Sequence, residues 1–231
     1  MMQLLMRLYS IILDLFYPRR AVCLGCGDMV GCDRDDLCES CRGKLAESWV
    51  GLRQPQKGSP VDGAAYGYFY AGPAGSLVRH LKYGGVSVLA EQMGDDIARA
   101  AMLLRIENEC FVTAVPMHPK RLRLRGVNHA ELLAKRTAVQ LGLDYQPVLA
   151  RTRNAPQQAR LNRDERKRNL KGGFSVPDAY RDIVDGAEVL LIDDVFTTGA
   201  TAAACAEALR EAGAYRVYFA AYAYGERKKN G

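Results

Sequence analysis

Asp193 and Asp194 lie between an apolar run, Val189-Leu190-Leu191-Ile192, and the sequence Thr197-Thr198-Gly199-Ala200-Thr201. Branched apolar residues in succession read as a strand buried on both faces, and the Ala-rich residues 202–212 read as a helix. The turn between them has a chemistry of its own. Unpaired N–H groups and the positive end of the dipole at a helix start favour a phosphate, and the Thr197, Thr198 and Thr201 hydroxyls and the Gly199 backbone can add to that hold. The two carboxylates then sit at the carboxyl end of the strand, where paired hydroxyls such as a ribose diol can donate to them. An ordinary strand-to-helix turn with an Asp cap is the competing reading.

A second set is Cys23-Leu24-Gly25-Cys26 and, eleven residues on, Cys38-Glu39-Ser40-Cys41. Each pair lets two thiolates turn onto one ion, and two such knuckles close the tetrahedral site that Zn2+ favours. The stretch is too short and polar to hold itself together by burial, so metal binding would supply its folding energy. Disulfides are the alternative, and a cytosolic chain disfavours them. Cys32 lies between the knuckles as a spare ligand or free thiol, while Cys110 and Cys205 read as small buried hydrophobes.

The third set is basic. Residues 117–171 carry 14 Lys and Arg against 4 acids, so the net charge of +6 is concentrated there and the remainder of the chain is net negative. Such a segment suits polyanions, although a solvated surface would share its composition. Within it, Lys120, Arg121, Arg123 and Arg125 occupy a loop over residues 117–128, between a strand's carboxyl end and a helix start. There they can hold pyrophosphate oxygens, Arg125 foremost. Lys82 ends an earlier helix and reads first as a solvated helix end, although it could reach a phosphate. Residues 151–173 hold eight basic and two acidic residues and suit a mobile lid over an anion, or a basic loop with no such purpose. Aromatic residues for base stacking are scarce along this basic stretch, and no Ser/His/Asp or Cys/His nucleophile arrangement is legible.

The elements that must position these groups alternate. Strands are expected over residues 66–70, 111–115, 145–150 and 216–224. Helices are expected over residues 72–83, 88–104, with Leu89, Met93, Ile97, Ala101 and Leu104 on one face, and 129–141. Alternation of this kind implies a parallel sheet with ligand sites at its carboxyl edge. With 231 residues and 48% apolar content the chain can bury a real core. Three units are expected: an amphipathic helix over residues 1–20, a zinc ribbon over 21–53 and a main domain over 61–225. The Pro- and Gly-rich residues 54–60 form the linker. The N-terminal segment has Arg7 and Asp14 inside it and no cleavage site, so it reads as neither a signal peptide nor a membrane span.

Two acids, two residues, then Thr-Thr-Gly-x-Thr resembles the phosphoribosyl pyrophosphate motif of type I phosphoribosyltransferases. The whole order of motifs resembles the ComF family of competence and DNA-utilisation proteins. The likeness rests on both cysteine knuckles, Leu81-Lys82-Tyr83-Gly84, Val115-Pro116, and Arg125-Gly126-Val127-Asn128-His129-Ala130-Glu131-Leu132. Gln158, Leu161, Arg166 to Asn169 and the Asp193 to Thr201 motif complete it. Val127 is a small departure, since Phe is frequent there. The resemblance implies a zinc ribbon on a type I phosphoribosyltransferase-like α/β fold, a parallel sheet flanked by helices. It further implies phosphoribosyl pyrophosphate or nucleotide as ligand with Mg2+, single-stranded DNA, and a helicase-like partner. Such a protein would be cytoplasmic, or membrane-associated through a partner, with a role in DNA uptake and utilisation.

Oxopurine-salvage enzymes carry an Asp where this chain has Thr197, and a threonine cannot exchange a proton with a base. Two readings therefore stay open: binding without turnover in the service of DNA handling, or phosphoribosyl transfer to another small acceptor.

Overall fold

A computed structural model of the chain describes residues 22–28, 37–55, 57–83, 87–106, 109–151 and 173–225. The expected helix over residues 1–20, Cys32 and nearly all of the basic stretch 151–173 lie outside the described residues.

At the centre is β7 (Glu188–Phe196), whose Val189, Leu190, Leu191 and Ile192 are all fully buried. A strand covered on both faces must be apolar at successive positions, and each such side chain contributes about 1.5–3 kcal/mol by leaving water. Parallel neighbours flank it: β8 (Arg216–Tyr224) on one side and β3 (Cys110–Ala114) on the other. Beyond β8 lies β2 (Gly63–Phe69), also parallel, and beyond β3 the two-residue β4 (Asp144–Tyr145). β1 (Trp49–Arg53) closes the far edge antiparallel to β2, giving the order β1-β2-β8-β7-β3-β4. β1 thus joins the main sheet although it falls within residues 21–53. The expected fold class, a mostly parallel α/β sheet flanked by helices, is the one observed.

Alternation along the strands divides the core in two. Leu190, Ile192, Tyr218 and Tyr222 pack with α2 (Gly72–Tyr83), α3 (Ser87–Ala101) and α5 (His129–Leu141). Val189, Leu191, Val217 and Phe219 pack instead with α7 (Ala200–Glu211). This is the two-residue period of a pleated strand. The apolar face expected for α3 is present, with Leu89, Met93, Ile97 and Ala101 almost completely buried. α3 and α5 approach closely at Gly94, where a Cβ would come within 2.6 Å of the Arg136 side chain. Thr137 Oγ1 donates to the Gly94 carbonyl at 3.1 Å there, and Arg136 pairs with Asp95. This packing fixes α5 against α3, and Asn128 ties its start to the end of β3.

Two expectations need correction. The basic loop 117–128 contains a helix, α4 (Pro119–Arg125), with Pro at its first turn and Gly126 at φ 75° as its left-handed C-cap. Both signals are legible, but a two-turn helix has too little periodicity to reveal them. The single strand expected over residues 145–150 is instead two fragments. β4 extends the main sheet, while β5 (Ala150–Arg151) pairs antiparallel with β6 (Phe174–Ser175) in a separate ribbon. Short α1 (Glu39–Glu47) and α6 (Arg181–Val184) complete the described helices. Among the described residues no helix is long and apolar enough to cross a membrane.

Candidate phosphate and metal sites

A cavity of about 180 Å3 opens at the carboxyl ends of β3 and β7. It is lined by Asp193, Asp194, Thr201, Lys82 and Arg125, among others. Four chain segments far apart in sequence therefore meet where a parallel sheet places its ligands.

The two acids differ in surroundings. Asp194 lies on the α2 side and accepts Lys82 Nζ at 3.0 Å, while its own N–H donates to Asp193 Oδ1 at 2.8 Å. Asp193 is on the α7 side, in the field of Arg151 and against the buried Cys205. Burial, then the neighbouring Asp194 charge, pushes the Asp193 carboxyl well above the usual carboxylate range, against the pull of Lys82 and Arg151. Lys82 is thus engaged by an acid rather than ending a solvated helix, a correction to that reading.

Across the cavity, Asn128 Nδ2 donates to the Val115 carbonyl at 3.1 Å and ties the start of α5 to the end of β3. Arg125 projects from the last turn of α4, with its guanidinium 5.1 Å from the centre of the Tyr83 ring and a 3.3 Å hydrogen bond to the Tyr83 hydroxyl. Stacking of this kind holds a cation in place without neutralising it. Tyr83 is exposed and comes from α2, so an aromatic residue does accompany the basic helix, brought there by folding. Lys120 is exposed and lies outside the cavity lining, its N–H capped by His118 Nδ1 at 3.1 Å.

The turn after β7 has the backbone needed for an anion. Gly199 has φ 73° and precedes the first residue of α7, and Thr198 Oγ1 accepts the Ala200 N–H at 3.4 Å. A Cβ at Gly199 would lie 2.8 Å from Phe196 Cζ, so glycine is required by space as well as by conformation. Thr201 faces the acid cavity, and Thr197 is exposed at the mouth of the turn.

Two further residues lie at or beside the cavity, one of them, Arg151, from the start of the basic stretch expected over an anion. Arg151 lines the cavity and stacks on Phe174, 5.2 Å from its ring centre. His129 is buried, and its Nδ1 has no hydrogen-bond partner among the described residues. Burial, then Arg125 and Lys82, lowers its pKa, with Asp194 opposing, so the imidazole is neutral at pH 7. Its only local signal was a place one residue after Asn128.

At the other end of the chain, the Sγ atoms of Cys23, Cys26, Cys38 and Cys41 all lie within 4.8 Å of one another. Four thiolates on a tetrahedral ion with bonds of about 2.3 Å would stand roughly 3.8 Å apart. Cys26 and Cys38 Sγ are 4.0 Å apart, so the donor set fits such an ion. Burial opposes ionisation of Cys23, but N–H groups of Cys38, Cys26 and Gly25 outweigh it and bring the thiol down to about 6. A Cβ at Gly25 would strike Cys41 Sγ at 2.8 Å, so the knuckle needs glycine there. Cys110 and Cys205 are buried, as expected of small hydrophobes.

The chain is similar to the DNA utilization protein YhgH of Salmonella typhimurium, with 30% identity over 153 residues, covering 64% of this chain and 66% of that protein. The protein of the same name from Escherichia coli K12 is 29% identical over the same shares. The chain therefore spans 66% of the length of these relatives, slightly under two thirds. No family model matches. Among solved structures, a glutamine phosphoribosylpyrophosphate amidotransferase from B. subtilis complexed with ADP and GMP shares 19% identity at a TM-score of 0.42, over 62% of this chain and 30% of that one. An allosteric regulatory enzyme of purine biosynthesis shares 21% at 0.41, over 62% and 29%.

Proposed function

We propose that this chain is a member of the ComF family of DNA-utilisation proteins and that the cavity at the end of β7 binds phosphoribosyl pyrophosphate or a nucleotide. Asp193 and Asp194 accept the ribose hydroxyls. Thr197, Thr198, Gly199 and Thr201 hold the 5'-phosphate at the start of α7, and Arg125, with Lys120 further out, meets the pyrophosphate. Mg2+ enters chelated mainly by the ligand. One observation carries this reading: the acids, Thr201, Lys82 and Arg125 line one cavity at the carboxyl edge of a parallel sheet.

Lys82 has a definite part. In the free protein it neutralises Asp194, while Asp193 beside it keeps its proton. When diol hydroxyls donate to Asp194, the ammonium is released toward the anionic end of the ligand. The same residue therefore stabilises the empty site and attracts its occupant.

Single-stranded DNA fits the outer face. Exposed α4, its four basic residues and the exposed Tyr83 ring offer phosphate contacts beside an aromatic surface. The four cysteines hold structural Zn2+. Zn2+ orders the N-terminal module and requires nothing of the acid cavity. In the cell, this reading places the protein in the cytoplasm, passing incoming strands to a helicase-like partner.

Catalysis is the second reading, and Thr197 bears on it: no carboxylate stands at the turn to move a proton on an acceptor base. A titration with phosphoribosyl pyrophosphate, with and without Mg2+, tests the proposal. Asp194→Asn is expected to weaken that binding about 100-fold while leaving binding to an oligodeoxynucleotide unchanged. Equal affinity in the two proteins would remove the ligand from this cavity. Pyrophosphate release with a base, amine or nucleotide would favour the enzymatic reading.

A further inference from the structure

A second cavity, of about 380 Å3, is lined by Thr198, Gly199 and Ala200 of the turn after β7 but by neither acid. The Pro- and Gly-rich segment expected as a plain linker forms part of its wall, through Pro55, Gly58 and Pro60. Its volume is within the range of small-molecule sites, roughly 300–1,000 Å3. The floor is aromatic: Tyr66, Phe196, Phe219 and Tyr224 all line it. Phe196 and Tyr224 are nearly parallel, 10° between planes, with centres 5.6 Å apart, and Tyr66 leans on both at 5.1 and 4.8 Å. One wall is the small-residue face of α7, including Ala203, which leaves room for a flat ring. The rim is polar, with two cations, Arg53 and Lys57, against one acid, Glu207.

We propose that this cavity is a separate nucleotide-binding site, with the base against the aromatic floor and the phosphate at the Arg53 and Lys57 rim. Charge and shape both select this class. A bare hydrocarbon would leave the two cations unused, and a simple polyanion would leave the aromatic floor unused.

The site touches the phosphate turn. Phe196, Thr198, Gly199 and Ala200 line it, and Phe196 is the side chain that forbids a Cβ at Gly199. A nucleotide lodged there bears on the turn that leads into Thr201, which lines the acid cavity. Occupancy of either site then changes affinity at the other by the same factor, typically 5–150-fold. This coupling rests on the phosphate reading of the turn, whereas nucleotide binding in the aromatic cavity does not.

Calorimetric titration of the full chain with AMP and with adenosine tests the proposal. AMP is expected to bind more tightly than adenosine. Arg53→Gln, at an exposed rim position, should lower AMP affinity roughly tenfold and leave adenosine unchanged. Ala203→Leu fills the cavity from α7 and should weaken both ligands tenfold or more, with circular dichroism confirming the fold. Asp194→Asn should leave AMP binding in the aromatic cavity intact and weaken only phosphoribosyl pyrophosphate binding, about 100-fold. No AMP binding by the wild type, or AMP binding that survives Ala203→Leu in a folded protein, overturns the site. AMP binding lost in Asp194→Asn also overturns it, by placing the nucleotide in the acid cavity. AMP binding retained beside absent phosphoribosyl pyrophosphate binding would sink the function proposed above and leave this site standing.

Discussion

The cysteine module and the acid cavity solve one problem in opposite ways. Each gathers groups that repel one another when ionised: four thiols within 4.8 Å, and two adjacent carboxylates at the end of β7. Near the cysteines the described residues provide one knuckle turn, the nine-residue α1 and a contact with α2, with Cys23, Leu37 and Cys41 buried in the main core. There a bound cation would supply further order. At the acids, the sheet is already rigid, with four fully buried residues immediately before Asp193. The core overrides the repulsion, and one acid accommodates it by holding its proton while the other takes Lys82. A local site can thus depend on its ligand for structure, whereas a site on a packed sheet can remain strained and ready.

The largest effect should come from removing the ion. Chelation, or Cys38→Ser with Cys41→Ser, is expected to remove on the order of 10 kcal/mol of local binding energy. Hydrogen exchange should show α1 losing protection while β7 and β8 keep theirs. Trp49, the sole tryptophan, should keep its emission, because β1 pairs with β2 and its ring packs edge-on to Tyr68 at 5.3 Å. Equal loss of protection in β7 would mean that the two regions share one folding unit.

Next is Lys82→Met, which leaves Asp194 charged beside Asp193. We expect a loss of about 2 kcal/mol at pH 7, much reduced when Asp194→Asn is already in place, measured by urea unfolding of the single and double variants. An equal loss in the Asp194→Asn background would show that Lys82 acts by packing alone.

Asp193→Asn should act in the other direction. A carboxyl whose folded pKa is raised to about 8 contributes stability that is fully present below its unfolded value near 3.8 and lost as pH rises through about 8. Asn keeps an oxygen for the Asp194 N–H and removes the charge. The variant should therefore gain on the order of 1 kcal/mol at pH 8 to 9 and gain progressively less toward pH 4, read from Tm across that range. Equal Tm curves for the two proteins would contradict the strain.

The smallest effect belongs to Arg125→Lys. Charge is kept, but the planar stack on Tyr83 is lost, worth about 0.5–1 kcal/mol at an exposed site. Phosphoribosyl pyrophosphate affinity should fall a few-fold, and stability by no more than that stacking contribution. A drop as large as that of Asp194→Asn would make Arg125 an anchor equal to the acids.

Helices α2 and α5 and strand β8 have the limits that periodicity and punctuation indicate, because Gly72, Gly142 and the apolar residues of β8 act over one or two turns. The Asp193 to Thr201 unit is legible for the same reason: strand, acids, turn and helix are consecutive. α4 is not, since seven residues carry too little pattern. Neither are the pairing of Lys82 with Asp194, the meeting of Tyr83 with Arg125, or the place of Arg151. These join residues 42 to 112 positions apart, and nothing local marks one basic residue among many as the partner of a given acid.

Residue order alone therefore dictated the chemistry available at each knuckle and turn, because capping, ligand spacing and strand burial are short-range demands. The packing of α2 and α5 on one face of the sheet and α7 on the other selected which charges meet. It set Asp194 against Lys82, gave Asp193 a desolvated place near Arg151, and left an aromatic cavity beside the phosphate turn. Those outcomes depend on distances across the core, which only burial of both sheet faces establishes.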